Sequence, residues 1–294
     1  MKKLADKIKR VGLIGNSEKV SCAGAVSRAA RLLAAAGRKV YSDAITAQLA
    51  RIKALVCTDA AALARQVDLL LVFGGDGTML RVAREIAGSR TPILGINIGS
   101  LGFLTAVPSA QLGRALKSVW SGEFEFESRV LLEAKGHCRG RWITQTALND
   151  IVISRGIASR LIELDVRVNG DPLTRYRCDG LIVSSPTGST AYSLAAGGAV
   201  VFPTANVLAL TPICPHTLSN RSLILPVTAT LEVKVISPKP TTILSADGQV
   251  VSELSAGDLI SVHRSRQSIR LMHLAGSSFC DTLRQKLHWR GTTL

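Results

Sequence analysis

The stretch VDLLLVFGGDGTMLRVA, residues 67–83, decides the fold. Its first half, Val67 to Phe73, is of strand length and apolar at every position but Asp68, and a helical pattern opens at Thr78. Between the two lies Gly74-Gly75-Asp76-Gly77. A strand without alternating polar positions is buried on both faces, the habit of a parallel sheet covered by helices. A glycine turn that leads from such a strand into a helix lies at the carboxyl end of the sheet, where open α/β folds bind their ligands.

Working outward, Val11-Gly12-Leu13-Ile14-Gly15 reads as another buried strand, and Val26 to Ala36 as an Ala/Leu-rich helix closed by Gly37. Lys39 to Tyr41 offers a second strand, Thr78 to Ala87 a helix, and Pro92 to Asn97 a further strand. This strand–helix–strand order predicts an α/β domain built on a parallel sheet. A helix through Leu112, Leu116 and Val119 ends near Ser121-Gly122, and beyond Phe124 the apolar period becomes two. Ile162, Leu164, Val166 and Val168 alternate with charged residues, and Asn169-Gly170 gives a hairpin signal. The expected organisation is therefore an α/β nucleotide-binding domain over 1–122 and a β-rich domain over 123–276. A final helix over 277–294 starts at Ser278.

Composition narrows the chemistry. Of 294 residues, 47% are hydrophobic and 19% charged, which supports a sizeable core and excludes wholesale disorder. The net charge of +15 points to polyanionic ligands. It is diffuse, with 18 basic and 9 acidic residues up to position 125 and 18 and 12 beyond, so no nucleic-acid arm is expected. Aromatic residues at 4% are poor material for stacking many unpaired bases. Six scattered cysteines without a C-x-x-C pair, and no secretory h-region behind Met1-Lys2-Lys3, read as reduced thiols in the cytoplasm and argue against zinc. From Gly180 to Asn220 there is no Asp, Glu, Lys or Arg, yet four prolines break the run. It reads as buried polypeptide near a pocket rather than a membrane span.

Three sites carry candidate chemistry. In Gly74-Gly75-Asp76-Gly77-Thr78 the glycines let backbone N–H groups approach phosphate oxygens, and the helix N-terminus adds its dipole. Asp76 repels phosphate, so its use is as a general base or magnesium-organising group; the plainer alternative is a helix cap. Neither the Rossmann nor the Walker glycine pattern fits. Pro186 to Tyr192 holds a second glycine turn whose hydroxyls could cradle a nucleotide or simply cap a helix. Asn149-Asp150 offers an amide and a carboxylate suited to ribose hydroxyls, and Asp179 before Gly180 has the same ambiguity between ligand and turn.

Together, GGDGT at 74–78, GINIGSLGFLT at 95–105, ALND at 147–150 and DGLIVSSPTGSTAYSLAAGG at 179–198 resemble the ATP-dependent NAD kinases of bacterial type. LTPICPHTLSNR at 210–221, ADGQ at 246–249 and SFCDTLRQKLHW at 278–289 fit as well. The resemblance implies an α/β domain and a C-terminal β-sandwich with the site in the cleft between them, the last helix returning to the first domain. It implies homodimers or homotetramers, ATP as donor, NAD as acceptor and a divalent cation such as magnesium. By position, Asp76 becomes the general base at the 2′-hydroxyl of the adenosine ribose, and Gly74, Gly75, Gly77 and Thr78 hold donor phosphates. Phe103 packs on the adenine of NAD, Asn149 and Asp150 bind the adenine end and ribose hydroxyls, and Asp179 meets the nicotinamide end. Thr187, Thr190, Ala191 and Tyr192 line the dinucleotide site. The chain departs from the family at Asp150, where Glu is commoner, at Ala195 for Ser, and at Ile98, where many relatives have Arg. A lipid kinase of the diacylglycerol type shares a GGDGT-like loop but leaves the other motifs without a task. A nucleotide-sensing or RNA-binding module leaves Asp76 without one.

Overall fold

The computed structural model describes residues 2–105, 107–156, 160–216, 221–237 and 242–289. Residues 217–220 of one quoted motif and 290–294 of the expected final helix thus lie outside the described residues. The chain forms two compact units, Met1–Ser128 with Ile269–Leu294, and Arg129–Ser268.

Unit 1 runs through α1 (Lys2–Ala5), β1 (Arg10–Gly15), α2 (Val20–Ala35), β2 (Lys39–Asp43), α3 (Ala44–Ala50), β3 (Leu55–Cys57) and α4 (Ala60–Gln66). It continues with β4 (Leu69–Gly74), α5 (Asp76–Glu85), β5 (Ile93–Asn97), β6 (Val107–Pro108) and α6 (Leu112–Ser121). The strands are parallel in the order β5-β4-β1-β2-β3. All six residues of β4 are buried, as the unbroken apolar run predicts. α2 starts earlier than the expected Val26, because Cys22 joins Val26, Ala29, Ala30 and Leu33 on one buried face at helical spacing. Gly37, at φ +68°, closes it in the left-handed region that glycine adopts without strain. Asp43 and Asp59 cap α3 and α4, each accepting an N–H at 2.7 Å.

β7 (Phe124–Cys138) leads the chain into unit 2. There follow β8 (Arg141–Ala147), β9 (Asp150–Arg155), β10 (Ile162–Val168), β11 (Asp171–Cys178), β12 (Gly180–Ser184), a 3-10 turn (Thr187–Thr190) and α7 (Tyr192–Ala195). β13 (Val207–Ile213), β14 (Leu223–Pro226), β15 (Leu231–Val235), β16 (Thr242–Ala246) and β17 (Gln249–Leu254) complete it. β18 (Leu259–Leu274) returns to unit 1 and α8 (Phe279–Lys286) ends the described chain. One antiparallel sheet has the order β11-β10-β15-β18, with β7 and β8 alongside; the other is β14-β13-β12-β9-β16-β17. Leu164, Val166 and Val233 from the first share a core cluster with Ile153, Val183 and Leu210 from the second, which makes unit 2 a β-sandwich.

The uncharged run is explained by this packing: every residue of β12 is buried, and so are the five central residues of β13. A charge there would lose its hydration without a partner. No helix among the described residues is long and apolar enough to cross a membrane, and all six cysteines are free thiols. Asn169 and Gly170 both have positive φ, 53° and 87°, the type I′ geometry their dipeptide predicts. Asp247-Gly248 makes the same turn between β16 and β17, at 48° and 76°.

Candidate active site

In unit 1 the loops after β1, β4 and β5 are tied together at the carboxyl edge of the sheet. Asn16 N–H donates to Phe73 O at 2.9 Å and Ile98 N–H to Gly74 O at 3.2 Å. Gly74 has to be glycine, since a Cβ there would overlap the Thr78 side chain, itself buried. Gly75 and Gly77 face open space. Asp76 is the first residue of α5, with Gly75 as N-cap. Its carboxylate takes no N–H of its own helix. Oδ2 accepts the Phe103 N–H at 2.8 Å, and Oδ1 accepts the Leu104 N–H at 3.0 Å and lies 3.4 Å from Thr105 Oγ1. The capping alternative is therefore not what the side chain does.

Asn97, 4% exposed, holds the loop that supplies those donors. Its Nδ2 donates to Ser100 O at 2.6 Å and Thr105 Oγ1 at 3.1 Å, while its Oδ1 accepts the Gly99 N–H at 2.6 Å. A Cβ on Gly102 would overlap Asp76 Oδ1, so this glycine is required by close approach. Ile98 packs against the apolar core of unit 1 rather than presenting a cation. The half-buried Phe103 ring lies 6.3 Å from the ring of Phe279 on α8, and Lys286 Nζ lies 5.4 Å from its centroid.

In unit 2 the structure brings the Asn149-Asp150 turn and the Thr187–Thr190 turn into contact. Asn149 O accepts the Ser185 N–H at 2.9 Å, and a Cβ on Gly188 would overlap that same carbonyl. Ser185 Oγ donates to Leu148 O and accepts the Gly188 N–H. Buried Thr187 accepts a bond from Nη1 of the buried Arg129 at 3.2 Å, and Thr190 Oγ1 donates to Thr187 O at 3.3 Å. Ala191 follows half-buried, and Tyr192 is exposed. Asp179 is not part of this cluster. Asp150 pairs with Ser184 and Ser154 with Gly180, so Asp179 lies at the other end of the β9–β12 pair. Five residues of strand separate Asp179 from Ser184, the partner of Asp150, and put it about 17 Å away, where it accepts a 2.6 Å bond from Arg155 Nε.

Asp150 is 4% exposed, and its carboxyl has no hydrogen-bond partner among the described residues. Burial, and then the nearby negative charge of Asp247, push its pKa from 3.8 up to about 7. The N–H groups of this turn go to Asp247 instead. Its Oδ1 accepts from Asn149 at 2.7 Å and Asp150 at 3.4 Å, and its Oδ2 from Leu148 at 3.1 Å. Arg129, Asn97 and Asp247 were not singled out from the sequence. Only Asp247 carried a usable signal, the Asp-Gly pair of a tight hairpin.

Unit 1 offers a glycine loop with open backbone and an anchored carboxylate at a helix start, and unit 2 offers an amide, a protonatable carboxyl and hydroxyls; each set is of the kind a nucleotide-dependent phosphotransferase uses. Residues 11–124 match the ATP-NAD kinase N-terminal domain, and residues 148–274 the ATP-NAD kinase C-terminal domain. The chain belongs to the ATP-NAD kinase family. It is 40% identical over 290 residues to an NAD kinase of Polaromonas naphthalenivorans, covering 97% of this chain and 98% of that protein. An NAD kinase of Symbiobacterium thermophilum is 46% identical over 223 residues, covering 76% and 79% respectively. Among solved structures, a yeast NADH kinase complexed with NADH superposes with a TM-score of 0.89 at 28% identity, covering 98% of this chain and 89% of that one. An NAD kinase from Archaeoglobus fulgidus in complex with ATP shares the fold, with a TM-score of 0.75 at 24% identity, covering 96% and 100%.

Proposed function

We propose that this chain transfers the γ-phosphoryl of ATP to the 2′-hydroxyl of the adenosine ribose of NAD, forming NADP. The observation that carries the reading is the Asp76 carboxylate, held by two backbone N–H groups at the start of α5 beside glycines that face open space. Phosphoryl transfer asks a protein mainly for in-line positioning and charge stabilisation. A carboxylate has about four acceptor positions, so the two N–H bonds leave Asp76 able to take the hydroxyl proton. Gly74, Gly75, Gly77 and Thr78 hold the donor phosphates, helped by the close approach that the glycines permit and by the dipole of α5.

Asn149 and Asp150 bind the adenine end and its ribose hydroxyls, Phe103 packs on the adenine, and Thr187, Thr190, Ala191 and Tyr192 line the dinucleotide. Asp179 serves the nicotinamide end, which suits its distance from the Asn149 turn. No group of three or more His, Cys, Asp or Glu that could hold a metal occurs among the described residues. One carboxylate beside open backbone fits a magnesium ion carried largely by the donor's own phosphates, and Asp76 is the residue that would help hold it. Magnesium would neutralise charge on the transferring phosphoryl group. The exposed Trp142 and Val250, and the open edge of β17, support a homodimer or homotetramer; a cytoplasmic location goes with the free thiols. Incubation with magnesium, ATP and either NAD or NADH, followed by chromatography of the nucleotides, tests the assignment. NADP is expected from NAD, and no phosphorylated dinucleotide from either acceptor would refute it.

A further inference from the structure

Asp247 stands outside every role assigned so far. It is the first residue of the two-residue turn between β16 and β17, with φ +48°, a left-handed conformation that Asp and Asn tolerate better than most residues. The turn holds its side chain against the stretch Leu148-Asn149-Asp150. One carboxylate accepts three successive N–H groups there, at 3.1, 2.7 and 3.4 Å, and the Asp247 N–H donates to Asp150 O at 3.0 Å. Those four bonds fix the backbone just where β8 passes into β9. With the N–H groups so engaged, the Asn149 amide and the Asp150 carboxyl are left without protein partners among the described residues.

We propose that Asp247 is a positioning residue for the acceptor nucleotide: by gathering the N–H groups of residues 148–150 it sets the Asn149 amide and Asp150 carboxyl in the arrangement that receives the ribose. This rests on the assignment of Asn149 and Asp150 to NAD given above. Asp247 has a second effect, because its charge faces Asp150. Across the β9–β12 pair Asp150 is opposite Ser184, whose hydroxyl donates to Ser185 O and Asn149 O; β16 leads into Asp247; and Arg129 is bonded to Thr187 in the neighbouring turn. Asp247 is the charged group that raises the pKa of Asp150 beyond what burial does. It therefore trades some ionisation of Asp150 at neutral pH for a rigid turn.

The test is a graded pair of variants that both keep the left-handed turn. Asp247→Asn keeps one acceptor oxygen and loses the charge; Asp247→Gly loses the carboxylate altogether. KM for NAD should rise in the order Asp, Asn, Gly, by about tenfold or more for Gly, since charge-assisted bonds to the backbone are lost. KM for ATP should stay within about twofold. The acid midpoint of kcat/KM for NAD should fall in both variants as the facing charge is removed. A KM for NAD unchanged in Asp247→Gly, or KM values for NAD and ATP rising together, would overturn the proposal. If Asp247→Gly does not fold, the same split and the same pH shift in Asp247→Asn decide. Failure of the unmodified chain to make NADP breaks the underlying assignment instead, and is read separately.

Discussion

In unit 1 the acid of the glycine loop reaches away from its own helix and takes N–H groups from Phe103 and Leu104. In unit 2 the corresponding turn sends its N–H groups to a different carboxylate, Asp247, and leaves Asp150 buried with a carboxyl at a pKa of about 7. The two turns hold acids of the same type and give them opposite surroundings. A hydrogen-bonded, half-exposed carboxylate suits proton acceptance at the reacting hydroxyl. A buried one that titrates near neutrality suits recognition, since once ionised it accepts from the ribose hydroxyls.

The largest effect should come from removing the first of these acids. Asp76→Asn is expected to lower kcat by a factor between about 10² and 10⁴, with the dissociation constant for NAD nearly unchanged. Calorimetric titration beside steady-state rates checks both halves, and near-normal kcat would end the general-base role. Gly102→Ala comes next. Its new Cβ would press on Asp76 Oδ1 and Thr105 Oγ1, so kcat should fall by about tenfold or more through misplacement of Asp76 alone.

Asp150→Asn sharpens the other side of the comparison. The folded chain keeps a proton on Asp150 that the unfolded chain releases near pH 4, so native stability declines as pH rises from about 4 to about 7, by at most about 4 kcal/mol. The variant lacks that slope. Its melting temperature should therefore gain on the wild type between pH 5 and pH 8, while KM for NAD rises about tenfold. In the wild type, kcat/KM for NAD should climb with pH and level off above about 7. The smallest effect is expected from Lys286→Ala, which removes a cation from the Phe103 ring at a partly exposed site. KM for NAD should change by no more than about threefold.

Much of this arrangement is legible in the chain itself because it is local. The run from Val67 to Thr78 encodes strand, turn and helix in consecutive residues, and the alternation from Ile162 to Val168 encodes a half-buried strand. Capping contacts and helix starts are less legible. α2 begins at Val20 because Cys22, a small apolar residue easily passed over, completes its buried face. The partnership of Asp247 with Asn149 spans 98 positions and depends on the register of β9 against β16. No periodicity reports such a contact. The same holds for Asp76, whose partners at 103–105 follow from how the loop after β5 returns over the start of α5.

The central claim is that Asp76, in its backbone-held position, serves transfer to the ribose hydroxyl of NAD. It is tested most directly by phosphorus NMR of the product made from magnesium, ATP and NAD by the purified chain and by Asp76→Asn. The account predicts a new 2′-phosphate resonance on the adenosine ribose with the wild type, and its near absence with the variant. A phosphate at any other position, or an equal yield from the variant, would contradict it.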